Sequence, residues 1–174
     1  MHIPDVGEFE LDEDMGWHFG PQAHPTILRG AQTCLILDGY GGDDELPMFR
    51  AAILAFLAAP FAVLEAAQEH VFHYYEDMKR YLQGEEGFPR IEAPAEVWKH
   101  VRFGGETSFH RRHDGDRAVY VSLECNCDWE VEHGLQIVLR HGDEVCKVGP
   151  YDGHLTNENA FADPALEGVI YRRL

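Results

Sequence analysis

Positive charge is what this 174-residue sequence has least of: 14 Lys plus Arg stand against 31 Asp plus Glu, a formal net charge of −17. Nucleic-acid affinity rests on cationic side chains that displace counterions from phosphates, so a nucleic-acid-binding role is excluded. Anionic membrane surfaces are disfavoured on the same ground. Long apolar runs are missing too, and nothing approaches the ~20 residues of a membrane-spanning helix. The opening MHIPDVGEFELDED has neither a basic nor an apolar signal region, so no secretory signal is expected. Cysteine is sparse, at four. Without a signal, four thiols fit a reducing cytoplasm better than a disulfide scaffold. Catalytic signatures are absent as well: there is no H-E-x-x-H, no phosphate-cradling glycine loop and no nucleophile elbow. No cofactor is implied.

What is present is ordinary in bulk, with 45% hydrophobic and 26% charged residues, enough to build one core. The segment EFELDEDMGWHFG reads as two short strands around a turn, and Cys34 to Leu37 as an apolar strand. DDELPMFRAAILAFLAA starts a helix that Pro60 ends. In the next helix Phe61, Leu64, Val71, Tyr75, Met78 and Leu82 recur at helical spacing. A helical turn is expected near Pro94 to Val97. From Trp98 to Gly149 the chain reads as strands, VWKHVRF, ETSFHRR, RAVYVSLECNCDW, GLQIVLR and EVCKVG, joined by GG, HDGD and HG turns. The expected architecture is a single α+β domain over residues 1–174, a mostly antiparallel sheet with a helical hairpin packed on one face.

The densest chemistry lies in ECNCDWEVEHGLQ, Glu124 to Gln136. Strand alternation puts Val119, Val121, Leu123, Cys125, Cys127 and Trp129 on one face. Both cysteines then read as buried thiols rather than zinc ligands, because a tetrahedral site needs two closely set ligand pairs. If His141-Gly142 is a two-residue turn, Ile137 pairs with Cys146 and Leu135 with Val148, which places Cys146 in the core as well. The same register pairs Val138 with Val145, Gln136 with Lys147 and Arg140 with Asp143. The other face of the strand carries Glu124, Asn126, Asp128 and Glu130, either a solvated acidic face or a protein-binding stripe. A calcium site there is disfavoured, since a straight strand spreads alternate side chains ~6.5 Å apart. Glu132, His133 and Gly134 are expected at the bend between strands, where a Glu–His pair suits either acid–base work or a structural turn. His70 and His73 on the long helix, and His110 and His113 at a strand end, read as surface residues. The loop YDGHLTNEN adds Asp152 and His154.

The stretch Ala118 to Asn157 resembles a bacterial domain family of unknown function. The resemblance is carried by an aromatic-x-x-Glu-His-Gly-Leu turn, here Trp129, Glu132, His133, Gly134 and Leu135, and by Gly149, Asp152 and Gly153. Trp17 and Trp98 fall in further similar segments. Domains with a similar turn occur beside polymorphic toxins and among proposed immunity proteins, so the resemblance implies binding by association. Two expectations follow. One is a non-enzymatic, cytoplasmic, immunity or antitoxin-type domain that holds a basic protein partner, such as a toxin, through Glu124, Asp128, Glu130, Glu132, His133, Asp152 and His154. The other is a metal-dependent enzyme or metal-binding protein using Glu132, His133, Asp152 and His154.

Overall fold

Alternation of apolar and polar residues from Val119 to Cys127 generates an interior strand of the main sheet. The structure is a computed structural model that describes residues 1–112 and 116–174. Residues 113–115, which include His113 and most of the HDGD connector, lie outside the described residues.

In chain order the elements are β1 (His2–Ile3), β2 (Gly7–Glu8), β3 (Glu10–Asp12), β4 (Trp17–Ala23), β5 (Thr33–Asp38), α1 (Leu46–Ala58), α2 (Ala62–Glu65), α3 (Gln68–Leu82), β6 (Val101–Arg111), β7 (Val119–Cys127), β8 (Glu130–Arg140), β9 (Glu144–Gly149) and α4 (Asn157–Phe161). Strands β3 to β9 form one seven-stranded sheet in sequential order. Every neighbouring pair is antiparallel except β5 and β6. That exception has a topological cause: a parallel pair needs a crossover, and α1 to α3 supply it. The α+β expectation therefore holds, with one parallel step. Among the described residues no helix is long and apolar enough to cross a membrane.

The core lies between the helices and one face of the sheet. Val119, Val121, Leu123, Cys125 and Cys127 of β7 join Leu35 and Leu37 of β5, Ile137 and Leu139 of β8, Phe49 and Phe56 of α1, and Val71 and Tyr75 of α3. Burial at these positions supplies the main favourable term for folding. The other sheet face is not the solvated surface that alternation alone suggests. The chain after β9 folds back over it and buries Tyr120 and Ser122, while Glu124 and Asn126 stay exposed. Asn157 holds this cover in place by donating to the carbonyls of Val169 and Ile170 at 2.8 and 2.9 Å. Val148 N–H donates to Ile170 O at 2.7 Å, which ties the cover to the edge strand β9. Asp77, fully buried on α3, accepts from the Tyr171 hydroxyl and the Leu174 N–H at 2.9 and 3.0 Å, anchoring the chain end.

Several local expectations are corrected. Trp98 and Lys99 belong to a 3-10 turn, Pro94–Lys99, and the strand starts at Val101. Gly104 and Gly105 lie inside β6 rather than between two strands. The β8–β9 turn is three residues, His141 to Asp143, because Arg140 pairs with Glu144. The register shifts again between Val138 and Leu139, where Cys146 is the extra residue of a bulge. Ile137 therefore faces Val148 and Val138 faces Lys147. Two single-residue shifts restore the face of Val148, but Cys146 leaves the main core and packs with Ala118, Tyr120 and Val138. Arg140 pairs with Asp116 rather than Asp143. His110 is no free surface residue, since its Nδ1 lies 3.2 Å from Asp38.

All four thiols are free. Burial raises the Cys125 thiol and pushes Cys127 up to about 12 from the ordinary 9.0. Above pH 9 the unfolded chain releases thiol protons that the folded chain keeps, so stability falls as pH rises. Each thiol contributes up to about 1.4 kcal/mol per pH unit. Urea melts at pH 8 and pH 10 should therefore show a larger loss for the native chain than for C125A/C127A, by about 1–3 kcal/mol. Parallel losses would contradict this reading of the two thiols.

Candidate functional site: an acidic notch opened by two bulges

Strand β7 is flanked at one level by irregularities on both sides. On β6, Phe103 pairs with Cys125 and Thr107 with Leu123, so Gly104, Gly105 and Glu106 stand against the single residue Glu124. On β8, Leu135 pairs with Cys125 and Glu130 with Cys127, so Val131 to Gly134 stand against the single residue Asn126. Extra residues cannot join the ladder, and they bend the strands away from β7. The sheet opens there into a cavity of about 380 Å³ lined by Glu106, Glu124, Asn126, Glu132, His133 and Gly134 among others.

Glycine is required at both hinges. A Cβ on Gly104 would sit 2.4 Å from Glu124 O, and one on Gly134 would sit 2.4 Å from Cys125 O. Gly134 also has φ +64°, in the left-handed region. Side-chain contacts then fix the β8 bulge. The Glu130 carboxylate accepts the N–H of Glu132 at 3.0 Å and of His133 at 2.7 Å. The Tyr74 hydroxyl donates to Gly134 O at 3.0 Å, and Tyr151 N–H donates to His133 O at 3.2 Å. Trp129, 1% exposed, packs edge-on against the rings of Tyr74 and Tyr75, each with a centroid separation of 6.1 Å. The Trp129-x-x-Glu132-His133-Gly134 motif thus has a mechanical reading. The indole anchors the segment, Gly134 permits the close approach, and Val131, Glu132 and His133 are carried outward, with Val131 83% exposed.

The acidic residues divide into occupied and available groups. Asp128 is occupied: Arg102 lies at 2.6 Å and His100 Nδ1 at 3.0 Å. Partial burial raises its carboxyl, but these two partners outweigh it and hold the group below the usual range. Glu130 is committed to the backbone of its own bulge. Asp152 is held by Lys147, which is 1% exposed and also donates to Gln136 Oε1 at 2.7 Å and His154 O at 3.0 Å. Burial depresses the Lys147 ammonium, and Asp152 opposes that shift. Gln136 passes the chain on, donating to Ser122 Oγ at 2.9 Å. Gln136 and Lys147 are therefore not the register pair expected, since Gln136 pairs with Gly149 and Lys147 with Val138, but their side chains meet diagonally under the C-terminal cover. His154 is half-exposed, its Nδ1 3.4 Å from Asp152 Oδ1.

Glu106, Glu124 and Glu132 are exposed and form no ion pair among the described residues. They surround the notch. Sequence reasoning named Glu124 and Glu132 but passed over Glu106, although paired glycines inside a strand pattern are the usual sign of a bulge. Of the four residues proposed for a metal, Glu132 and His133 lie together and Asp152 and His154 stand on Lys147. The ligand atoms grouped within 4.8 Å of one another are those of Glu130, Glu132 and His133.

A family model described as a domain of unknown function (DUF6985) matches residues 5–155, and the chain belongs to that family. No curated protein and no solved structure matches the chain. The matched span contains every residue of the notch and of the Lys147 network.

Gly134→Ala is expected to cost about 3 kcal/mol, combining left-handed strain with the clash on Cys125 O. Val131→Ala, on the exposed tip of the same bulge, should stay within about 0.5 kcal/mol. Urea denaturation measures both, and equal stabilities would contradict the pinned geometry.

Proposed function

Within a family that supplies no activity, we propose that this chain is a non-enzymatic protein-binding domain whose notch receives cationic side chains of a basic partner. The observation that carries the reading is the uneven neutralisation of the acids. Asp128, Glu130 and Asp152 are occupied within the chain, whereas Glu106, Glu124 and Glu132 surround an opening in the sheet and form no ion pair among the described residues. Three nearby like charges repel one another, and a guanidinium or ammonium group relieves that repulsion. The wider field of a −17 chain would steer such a partner in and turn acidic competitors away. His133 on the rim adds a hydrogen-bonding group.

The resemblance to domains found beside bacterial toxins makes an immunity or antitoxin-type inhibitor the biological form of this reading, with a basic toxin as partner. Free thiols and the acidic composition fit action in a reducing cytoplasm. In this reading Glu124 and Glu132 make direct contacts with His133 beside them. Asp128, Glu130, Asp152 and His154 hold the surrounding backbone.

A metal-binding reading draws on one specific observation, the grouping of Glu130, Glu132 and His133. Against it, both Glu130 oxygens already accept backbone N–H groups. Titration with Zn²⁺ and Ca²⁺ separates the two readings. Stoichiometric binding lost in E132Q/H133A favours metal, and heat changes no larger than those of the variant favour the protein partner.

The proposal is tested by native capture from source cells at low and high salt, using the wild-type chain and E106Q/E124Q/E132Q. A stoichiometric basic protein is expected, released by high salt and reduced about tenfold or more by the triple variant. Undiminished retention by the variant would overturn the assignment to the notch.

A further inference from the structure

A second cavity, of about 490 Å³, lies where the Thr26–Leu28 turn, α2 and the Pro94–Lys99 turn meet the start of β6. Its lining includes Arg29, Phe61, Trp98, Arg102 and Phe103. Its chemistry is the reverse of the notch.

Arg29 forms no ion pair among the described residues, in a chain where acids outnumber Lys plus Arg by 31 to 14. Its guanidinium carbon lies 3.7 Å from the centroid of the Phe61 ring. Arg29 is exposed, and a guanidinium stacked in this way covers one face while its in-plane N–H donors have no protein partner among the described residues and stay open to a ligand. The backbone adds an independent observation. Arg29 has φ +53°, a left-handed conformation in which glycine is the unstrained residue. The fold tolerates a strained arginine at the cap of a short turn, and the strain places a guanidinium at the mouth of the cavity.

The remaining walls combine the rings of Phe61, Trp98 and Phe103 with Leu28, Ala31 and Val101. Phe61 meets Trp98 edge-on at 5.4 Å. Trp98 is 7% exposed, and its indole N–H has no hydrogen-bond partner among the described residues. Arg102 adds a second guanidinium, shared with Asp128 at 2.6 Å. Two guanidinium groups repel a cationic occupant, and an aromatic wall favours a flat apolar body over a sugar or a hydrated ion. The volume suits a small organic molecule.

We propose that this cavity binds a small monoanion with a flat apolar body, of the aromatic carboxylate class. Arg29 takes the carboxylate through its free N–H groups, and the ring lies against Phe61, Trp98 and Phe103. The site is separate from the notch and does not rest on the protein-binding reading.

The test follows the indole N–H resonances of the full chain by NMR while 2-naphthoate is added, with Trp98 assigned from W98F. Saturable movement of the Trp98 resonance is expected, with Trp129 unmoved. Neutral 2-naphthylmethanol should bind more weakly by about tenfold or more. Arg29→Gly serves as the decisive variant: it relieves the backbone, so thermal stability should hold or rise, while naphthoate affinity falls by about tenfold or more. No saturable shift through the millimolar range would overturn the site. Equal affinity for the neutral analogue, or undiminished binding by Arg29→Gly, would overturn the assignment to an anion at Arg29.

Discussion

Everything distinctive about this molecule hangs on the Glu130 carboxylate and the two N–H groups it accepts. Four residues, Val131 to Gly134, must leave the ladder opposite a single residue of β7. Their backbone polar groups lose their ladder partners, and the bulge keeps one shape only if other groups bind them. Glu130 accepts the N–H groups of Glu132 and His133, while the Tyr74 hydroxyl and the Tyr151 N–H donate to the carbonyls of Gly134 and His133. Because Trp129 is locked between two tyrosine rings, this wide bulge has a fixed shape, and Glu132 projects from a rigid base. Rigid presentation matters for binding, since a preorganised surface loses less entropy when a partner arrives.

The electrostatics follow from the same geometry. A strongly acidic chain is repelled by itself, and most of its arginines are spent on internal pairs. Examples are Arg102 with Asp128, Arg111 with Glu45, Arg112 with Glu158 and Arg140 with Asp116. Lys147 is the extreme case, an ammonium buried beneath the C-terminal cover and held by Asp152, an amide and a carbonyl. Removing one partner from such a buried pair leaves an uncompensated charge, so the segment from Tyr151 to His154 is firmly attached to β9. Through Tyr151 it is attached to the bulge as well. Glu106, Glu124 and Glu132, which form no ion pair among the described residues, meet at the notch, where both neighbours of β7 bend away.

Much of the fold was legible in the sequence because burial obeys parity. The odd positions of β7 are core from Val119 to Cys127, and the helical spacing of Leu64, Val71 and Tyr75 marks their buried face. Parity fails where an extra residue enters. Cys146 was expected beside Ile137, but a three-residue turn and one bulge moved it to the other face. The covering segment after β9 carries no periodic pattern, so the burial of Tyr120, Ser122 and Lys147 could not be read from alternation. The site was half legible. Glu124, Glu132 and His133 stood out by density, whereas Glu106 became visible only when Gly104 was seen to be pressed against Glu124 O. Asp128 and Asp152 looked as free as Glu124, because ion pairing with Arg102 and Lys147 depends on contacts that spacing does not report.

The central claim is that the notch, rather than the acidic surface as a whole, is where a cationic group binds. The most direct measurement is an amide NMR titration of the full chain with a short arginine-rich peptide, at low and high salt. The account predicts saturable shifts confined to Gly104–Glu106, Glu124–Asn126 and Val131–Gly134, suppressed by salt. Shifts spread evenly over the acidic residues, or none at the two bulges, would contradict it.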